Sequence, residues 1–412
     1  MPCVIISRAS THKRKLRIQE NSISMSPLTP RERVLTAINH EEPDRVPLIF
    51  GVDHTTGISM RAYQRLISHL GIEAEDRYIY DWPELGSADP DEAVLRYLGS
   101  DARGVHDRFP QETYLHNRNR PEGAPYYDDW GVGQPEIAPG EYYPGIHPLK
   151  DAQTVAELES YPNWPNMDDP TRFAHVRQRA AQLAQENRYA IFASPWLLFP
   201  FERACQLQGL DIALMNMVTN PDFIRALLEK ITSLCKTHMR NFLKALNGNV
   251  DVIMIGDDLG TQENLLISPQ MYRQILKPIH ADWIAFIKSH TDAKVFFHTD
   301  GDITSLLDDL VEIGVDILNP IQTSAGRMSD LSTLKERYGK RLCFCGAIDT
   351  QHILPRGSRE EVRQEVRRVI NLLGPNGGYL VASVHSILNE VPVENIVAMV
   401  EAVEAYGFYP LT

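Results

Sequence analysis

Residues 251–302 read DVIMIGDDLGTQENLLISPQMYRQILKPIHADWIAFIKSHTDAKVFFHTDGD. Two short apolar runs, 251–255 and 294–298, each pass into a polar turn containing glycine. The first turn holds Gly256, Asp257, Asp258, Leu259, Gly260, Thr261 and Gln262, and the second Thr299, Asp300, Gly301 and Asp302. Between the runs, 268–289 repeats apolar residues near a 3.6-residue period, which predicts a helix. Strand, helix and strand in this order are the repeating unit of a parallel sheet covered by helices.

Working outward, the same alternation begins near residue 30 and predicts strands at 45–50, 101–105, 189–193, 251–255, 294–298, 315–319, 342–346 and 378–382. Each is short and mostly apolar, as strands covered on both faces are. Further helical patterns occupy 221–246, 303–313 and 360–373. Eight parallel strands with intervening helices close into an α/β fold, the (β/α)₈ or TIM barrel, here expected over residues 29–412. The irregular stretch, about 107–187, is too long for a structureless loop and reads as a hairpin-rich insertion between strands two and three, folded over the barrel mouth. Tyr126, Tyr127, Trp130, Tyr142 and Tyr143 within it either wall an aromatic pocket or pack on the barrel. Residues 1–28 carry a basic run, Lys13, Arg14, Lys15 and Arg17, and read as a disordered or non-native extension.

Composition narrows the function classes. The 412-residue chain carries 54 acidic against 41 basic residues, a net charge of −13, which disfavours nucleic acid as a partner. No window approaches the roughly 18 uninterrupted apolar residues of a membrane-spanning helix, so no membrane role is expected. The 5 cysteines form no paired framework, which suits a reducing, cytoplasmic location.

In a barrel of this kind chemistry is built at the C-terminal ends of the strands. Strand one runs into Asp53 and His54, strand three into Trp196, and strand six into Asn319 and Gln322. Together with Gln262 these are the expected substrate-binding residues. Asp257 and Asp258 are the expected catalytic pair, acting as acid or base or orienting a ligand, although a helix cap explains adjacent aspartates equally well. His298 and Asp300, two apart on a turn, and His385 after the last strand are expected to bind one metal ion, most readily zinc with an open coordination position. A hydrogen-bonded histidine beside a capping carboxylate is the bland account of the same pair. Cys345, inside an apolar strand, reads as core and is left out of the metal set.

Several separated motifs, in order, resemble the uroporphyrinogen decarboxylase superfamily: 256–262 followed by Ser268 and Pro269, then 297–302, 314–322, 346–351 and 378–395. The stretch TPRERVLTAINHEEPDRVPL, residues 29–48, resembles the usual beginning of that family, which points to Met25 as the natural start. The resemblance implies a (β/α)₈ barrel and offers two activities. The decarboxylases carry an Arg-Gln-Ala-Gly-Arg motif after the first strand; here Gly51, Val52, Asp53, His54, Thr55, Thr56 and Gly57 stand there, with no arginine before Arg61. The cobalamin-dependent methyltransferases bind zinc through His-x-Cys after strand five and Cys after strand eight, positions held here by His298, Asp300 and His385.

Two imidazoles and a carboxylate make a harder site than thiolates do, one suited to oxygen. The resemblance therefore implies a corrinoid-dependent methyltransferase that removes the methyl of a methoxylated, aromatic substrate and passes it to cob(I)alamin. The cobalamin-binding signature Asp-x-His-x-x-Gly is missing, so the corrinoid is expected from a separate carrier protein or free in solution. A homodimer is implied by the same analogy. The alternatives are a decarboxylase-type lyase using Asp53 and Asp257, and a non-catalytic ligand-binding barrel.

Overall fold

The computed structural model describes residues 27–82, 85–138, 141–196 and 199–411. Expectations for the stretch 1–28, its basic run included, lie almost wholly outside the described residues. Seven parallel strands form one curled sheet: β1 (Ala102–His106), β6 (Ala190–Ser194), β7 (Val252–Gly256), β8 (Lys294–His298), β9 (Ile317–Asn319), β10 (Cys343–Ile348) and β11 (Tyr379–Ser383), neighbours in that order.

Alternate residues of each strand point inward. Ala190 and Phe192, Val252 and Met254, Cys343 and Cys345, and Leu380 and Ala382 fill the barrel interior with Phe296 and Ile317. The intervening residues, such as Ile191, Ile253, Val295, Phe297 and Phe344, face the outer helices. Both faces are apolar, so a plain run of Val, Ile and Phe makes a strand here without polar alternation. Cys345 is fully buried among these residues. No helix among the described residues is long and apolar enough to cross a membrane.

The expected first strand is not regular. Pro47 has no N–H, and the N–H groups of Leu48 and Phe50 go to the Asp101 carboxylate (2.8 Å) and the Ser100 hydroxyl (3.2 Å). The segment nevertheless closes the barrel: the Ile49 N–H donates to the Val381 carbonyl, the Val381 N–H to that of Pro47, and the Asp101 N–H to that of Leu48, each at 2.8 Å. The helix Pro30–Ile38 then plugs the lower end. Proline at its first position and a capping box between Thr29 and Glu32 start it. Val34, Ala37 and Ile38 join the interior cluster.

The predicted helix 268–289 is also modified. It starts as a short turn, widens to a π segment at Tyr272–Leu276 and continues as an α-helix over Lys277–Lys288. Pro278 removes one N–H from the ladder at the point where the segments join.

Between β1 and β6 the insertion carries a helix (Gln111–Arg118) and two small antiparallel hairpins, β2 (Tyr126–Tyr127) with β3 (Gly133–Gln134) and β4 (Glu136–Ala138) with β5 (Glu141–Tyr142). A buried ion pair of Asp128 with Arg203 ties the first hairpin to the body, and a second, Asp129 with Arg172, braces it within the insertion. The aromatic residues divide: Trp130 is core, whereas Tyr142 and Tyr143 reach the cavity over the mouth.

Candidate active site

Each barrel strand runs into its loop at one rim, so residues distant in sequence meet there. His298 ends β8. Its Nδ1–H donates to the Asn319 Oδ1 at 2.7 Å, and the Asn319 amide donates on to the Cys345 carbonyl at 3.3 Å. This chain fixes the ring and leaves Nε2 as a bare lone pair aimed across the rim. Asp300 follows two residues later, and His385 comes from the loop after β11. Ligand atoms of His298, Asp300 and His385 all lie within 4.8 Å of one another. Asp300 Oδ1 is buried and has no hydrogen-bond partner among the described residues.

Two glycines allow this approach. A Cβ on Gly260 would meet the Asp300 carbonyl at 2.6 Å, and one on Gly301, where φ is +91°, would meet the Gly260 carbonyl carbon at 2.5 Å. With both bare, the loops after β7 and β8 touch. The Asp258 Oδ1 then accepts the Asp300 N–H at 2.9 Å and lies 3.9 Å from His298 Nε2, the same distance as Asp300 Oδ2.

The electrostatics follow from this crowding. Burial lowers the His298 imidazole, but Asp300, Asp258 and the Asn319 hydrogen bond outweigh it and leave it raised. Burial dominates at His385, which is lowered, and pushes His54 down to about 4. Burial thus favours the neutral imidazole at His385 and His54, whereas the carboxylates around His298 favour its protonated form until a cation takes the proton's place; two imidazoles beside a carboxylate are a donor set for a divalent metal.

A cavity of about 730 Å³ opens beside the cluster, walled by Trp82, Trp196, Tyr142 and Tyr143 and floored by His54, Glu202 and Asp258. No lysine or arginine lines it among the described residues. A second, more polar cavity of about 580 Å³ lies on the other side and includes Asp300 and His385. Gly260 borders both.

The expected site residues are distributed unevenly. His54, Trp196 and Asp258 line the first cavity, and Gln262 and Gln322 the second. The Gln322 Oε1 also accepts the Gly301 N–H at 2.7 Å. Asn319 is fully buried beneath His298 and orients it rather than contacting substrate. Asp257, expected to act beside Asp258, is turned away and fully buried. It accepts the N–H groups of Phe201 (3.0 Å) and Glu202 (2.7 Å) and the His280 Nε2–H (2.8 Å), so it caps the helix Pro200–Gln208 from another loop. Asp53 likewise serves its own turn, with Oδ1 taking the N–H and hydroxyl groups of Thr55 and Thr56.

Two further residues, Glu202 and Tyr80, lie at or beside the first cavity. Glu202 looks like an ordinary first-turn glutamate of a helix starting at Pro200. Tyr80 sits in a short turn with φ +60°, its hydroxyl 2.7 Å from that of Ser194 and its ring packed on His106 and Trp196. The aromatic run Tyr78, Ile79, Tyr80, Asp81, Trp82 was the available signal for it.

Residues 136–406 match the family described as Uroporphyrinogen decarboxylase (URO-D). The chain belongs to this family. Uroporphyrinogen decarboxylase of Coxiella burnetii (strain Dugway 5J108-111) is 24% identical over 269 residues, 63% of this chain and 69% of that protein. The enzyme of the same name from Legionella pneumophila (strain Lens) is 25% identical over 288 residues, 67% and 74% of the two chains. Among solved structures, a methyltransferase from Methanosarcina mazei superposes with a TM-score of 0.62 at 17% identity, covering 92% of this chain and 99% of that one. At that identity the likeness is one of fold.

Proposed function

We propose that this member of the uroporphyrinogen decarboxylase family is a methyltransferase of the O-demethylase type, taking the methyl group of a methoxylated aromatic compound to reduced cobalamin. The observation that carries the reading is the combination of the His298, Asp300 and His385 cluster with an aromatic-walled cavity that has no lysine or arginine among its described lining residues. A substrate with several carboxylates, as the decarboxylases take, would meet Glu202, Asp211 and Asp258 there, with no arginine or lysine among the described lining residues to hold its charges. A neutral aromatic ether suits the same walls.

The residues present fit a divalent metal. His298 Nε2 is kept free by its bond to Asn319, His385 is held neutral by burial, and Asp300 Oδ1 lacks any other partner among the described residues. These three would hold zinc, which when bound supplies a Lewis acid for the ether oxygen. The chain's own residues do the rest. Trp82 and Trp196 flank the ring, Tyr142 and Tyr143 of the insertion limit access of water, and Asp258 steadies the Asp300 loop through its N–H. Cobalamin would reach the mouth on a separate carrier protein or free.

The reading is tested by incubating zinc-loaded protein with reduced cobalamin and a panel of methoxylated aromatics, following the cobalamin absorbance, with uroporphyrinogen run in parallel. A cobalamin change dependent on both zinc and a methoxylated compound supports the proposal. Decarboxylation of uroporphyrinogen by metal-stripped protein would replace it with the activity named for the curated relatives.

A further inference from the structure

Glu202 opens the helix Pro200–Gln208, and its N–H is locked onto Asp257 Oδ1 at 2.7 Å. Its side chain lines the aromatic cavity beside Asp258 and Trp196. Two carboxyl groups, those of Asp258 and Glu202, therefore share one edge of the cavity, with the buried Asp257 carboxylate behind them, and the three are served unequally. Asp257 has two backbone N–H groups and His280, and Asp258 has the Asp300 N–H. The hydrogen bond recorded for Glu202 is a neutral one, from the Gln206 amide at 2.9 Å.

The adjacent Arg203 does not compensate. The Arg203 guanidinium is turned to Asp128, with Nη1 2.5 Å from Oδ2. Burial first, then Asp258 and Asp257, push the Glu202 carboxyl up to about 8 against the pull of Arg203 and His298. Among neighbouring carboxylates the proton settles on the one with the poorest donors.

We propose that Glu202 donates a proton to the oxygen released when the methyl–oxygen bond breaks. The step rests on the O-demethylase reading. The bond between the methyl carbon and the ether oxygen breaks with its electron pair on oxygen, and the methyl carbon takes a new bond from the electron pair of reduced cobalamin. The carboxyl proton of Glu202 passes to the oxygen, giving a neutral phenol, and solvent at the cavity mouth returns a proton to the carboxylate. A phenoxide would be held by a cation bound at Asp300, whereas a neutral phenol is a weaker ligand and departs more readily.

Two measurements test this. In zinc-loaded protein, the infrared band of the Glu202 carboxyl, isolated by difference against Glu202→Gln, should be present at neutral pH and disappear only as pH rises well above the ordinary carboxyl range. A Glu202 already ionised at about pH 6 overturns the proposal. In turnover, Glu202→Gln should lower kcat by about 10²-fold or more for an ether whose phenol is weakly acidic, with KM little changed. It should cost much less for a nitro-substituted ether, whose phenoxide leaves unprotonated. The wild-type kcat should fall on the alkaline side, in step with the loss of the Glu202 carboxyl band. Equal losses for both ethers would assign Glu202 a positioning role and overturn the proposal. An active wild type with an unimpaired Glu202→Gln sinks the proton donor alone, whereas a wild type that demethylates nothing sinks the O-demethylase reading and this step with it.

Discussion

The two ends of the barrel use the same residue types in opposite ways. At the lower end, Asp101, Asp251 and Asp316 each stand one residue before a strand and accept the N–H of a neighbouring segment, from Leu48, Ile191 and Val295, at 2.8 to 2.9 Å. Each also meets a cation: Arg33 and Arg45, Arg31, and Lys288. At the upper rim, Asp300 Oδ1, His54 Nδ1 and Trp196 Nε1 are buried without partners among the described residues. A buried polar atom without a partner costs about 1 to 3 kcal/mol. Carboxylates that stitch strands together mark the stabilising end, and unsatisfied ones mark the end that awaits a ligand.

The comparison breaks most visibly at His298. His298→Ala should remove bound zinc and turnover together while the thermal transition stays near that of the wild type; metal retention in elemental analysis would dissolve the contrast. At the other end, Asp101→Asn leaves Arg45 without its carboxylate and should cost about 3 kcal/mol in denaturant unfolding, with turnover per folded molecule unchanged. A loss of activity without loss of stability would reverse the roles of the two ends.

Asp258→Ala, which frees the Asp300 loop, should lower turnover by about 10- to 100-fold. The matched change at Asp257 should act through stability, since its oxygens hold a helix start and His280. Asn319→Ala, which frees the His298 ring, should weaken zinc by about 10- to 100-fold in a competition titration.

The smallest effect is the pH dependence of zinc binding. Metal binding requires neutral imidazoles, so affinity must fall as pH falls. His298 is raised, so it takes up a proton above the ordinary ~6.5 and sets the onset, while His385, which is lowered, remains neutral further down. Calorimetric zinc titrations on either side of neutrality should show this weakening; equal affinities would mean the imidazoles are not ligands.

Much of the barrel was legible because its strands are covered on both faces, so bare apolar runs such as 252–255 and 295–297 stand out between helical periods. The first strand misled, since Pro47 and side-chain acceptors replace ladder bonds that no pattern of apolar residues reveals. That Glu202 lines the cavity was invisible in the sequence, because acidic residues are common in first helical turns for electrostatic reasons alone.

By itself, the sequence determined that polar residues follow the strand ends on one rim, because parallel strands all point the same way and each apolar run ends where its loop begins. It also placed His298, Asp300 and His385 on that rim, and tertiary structure alone brought their ligand atoms within 4.8 Å. Which of Asp257 and Asp258 meets the cavity was likewise a tertiary decision. Neighbouring residues leave a strand in opposite directions, and the groups that claim Asp257, a helix start at Phe201 and Glu202 and an imidazole at His280, lie tens of residues away along the chain.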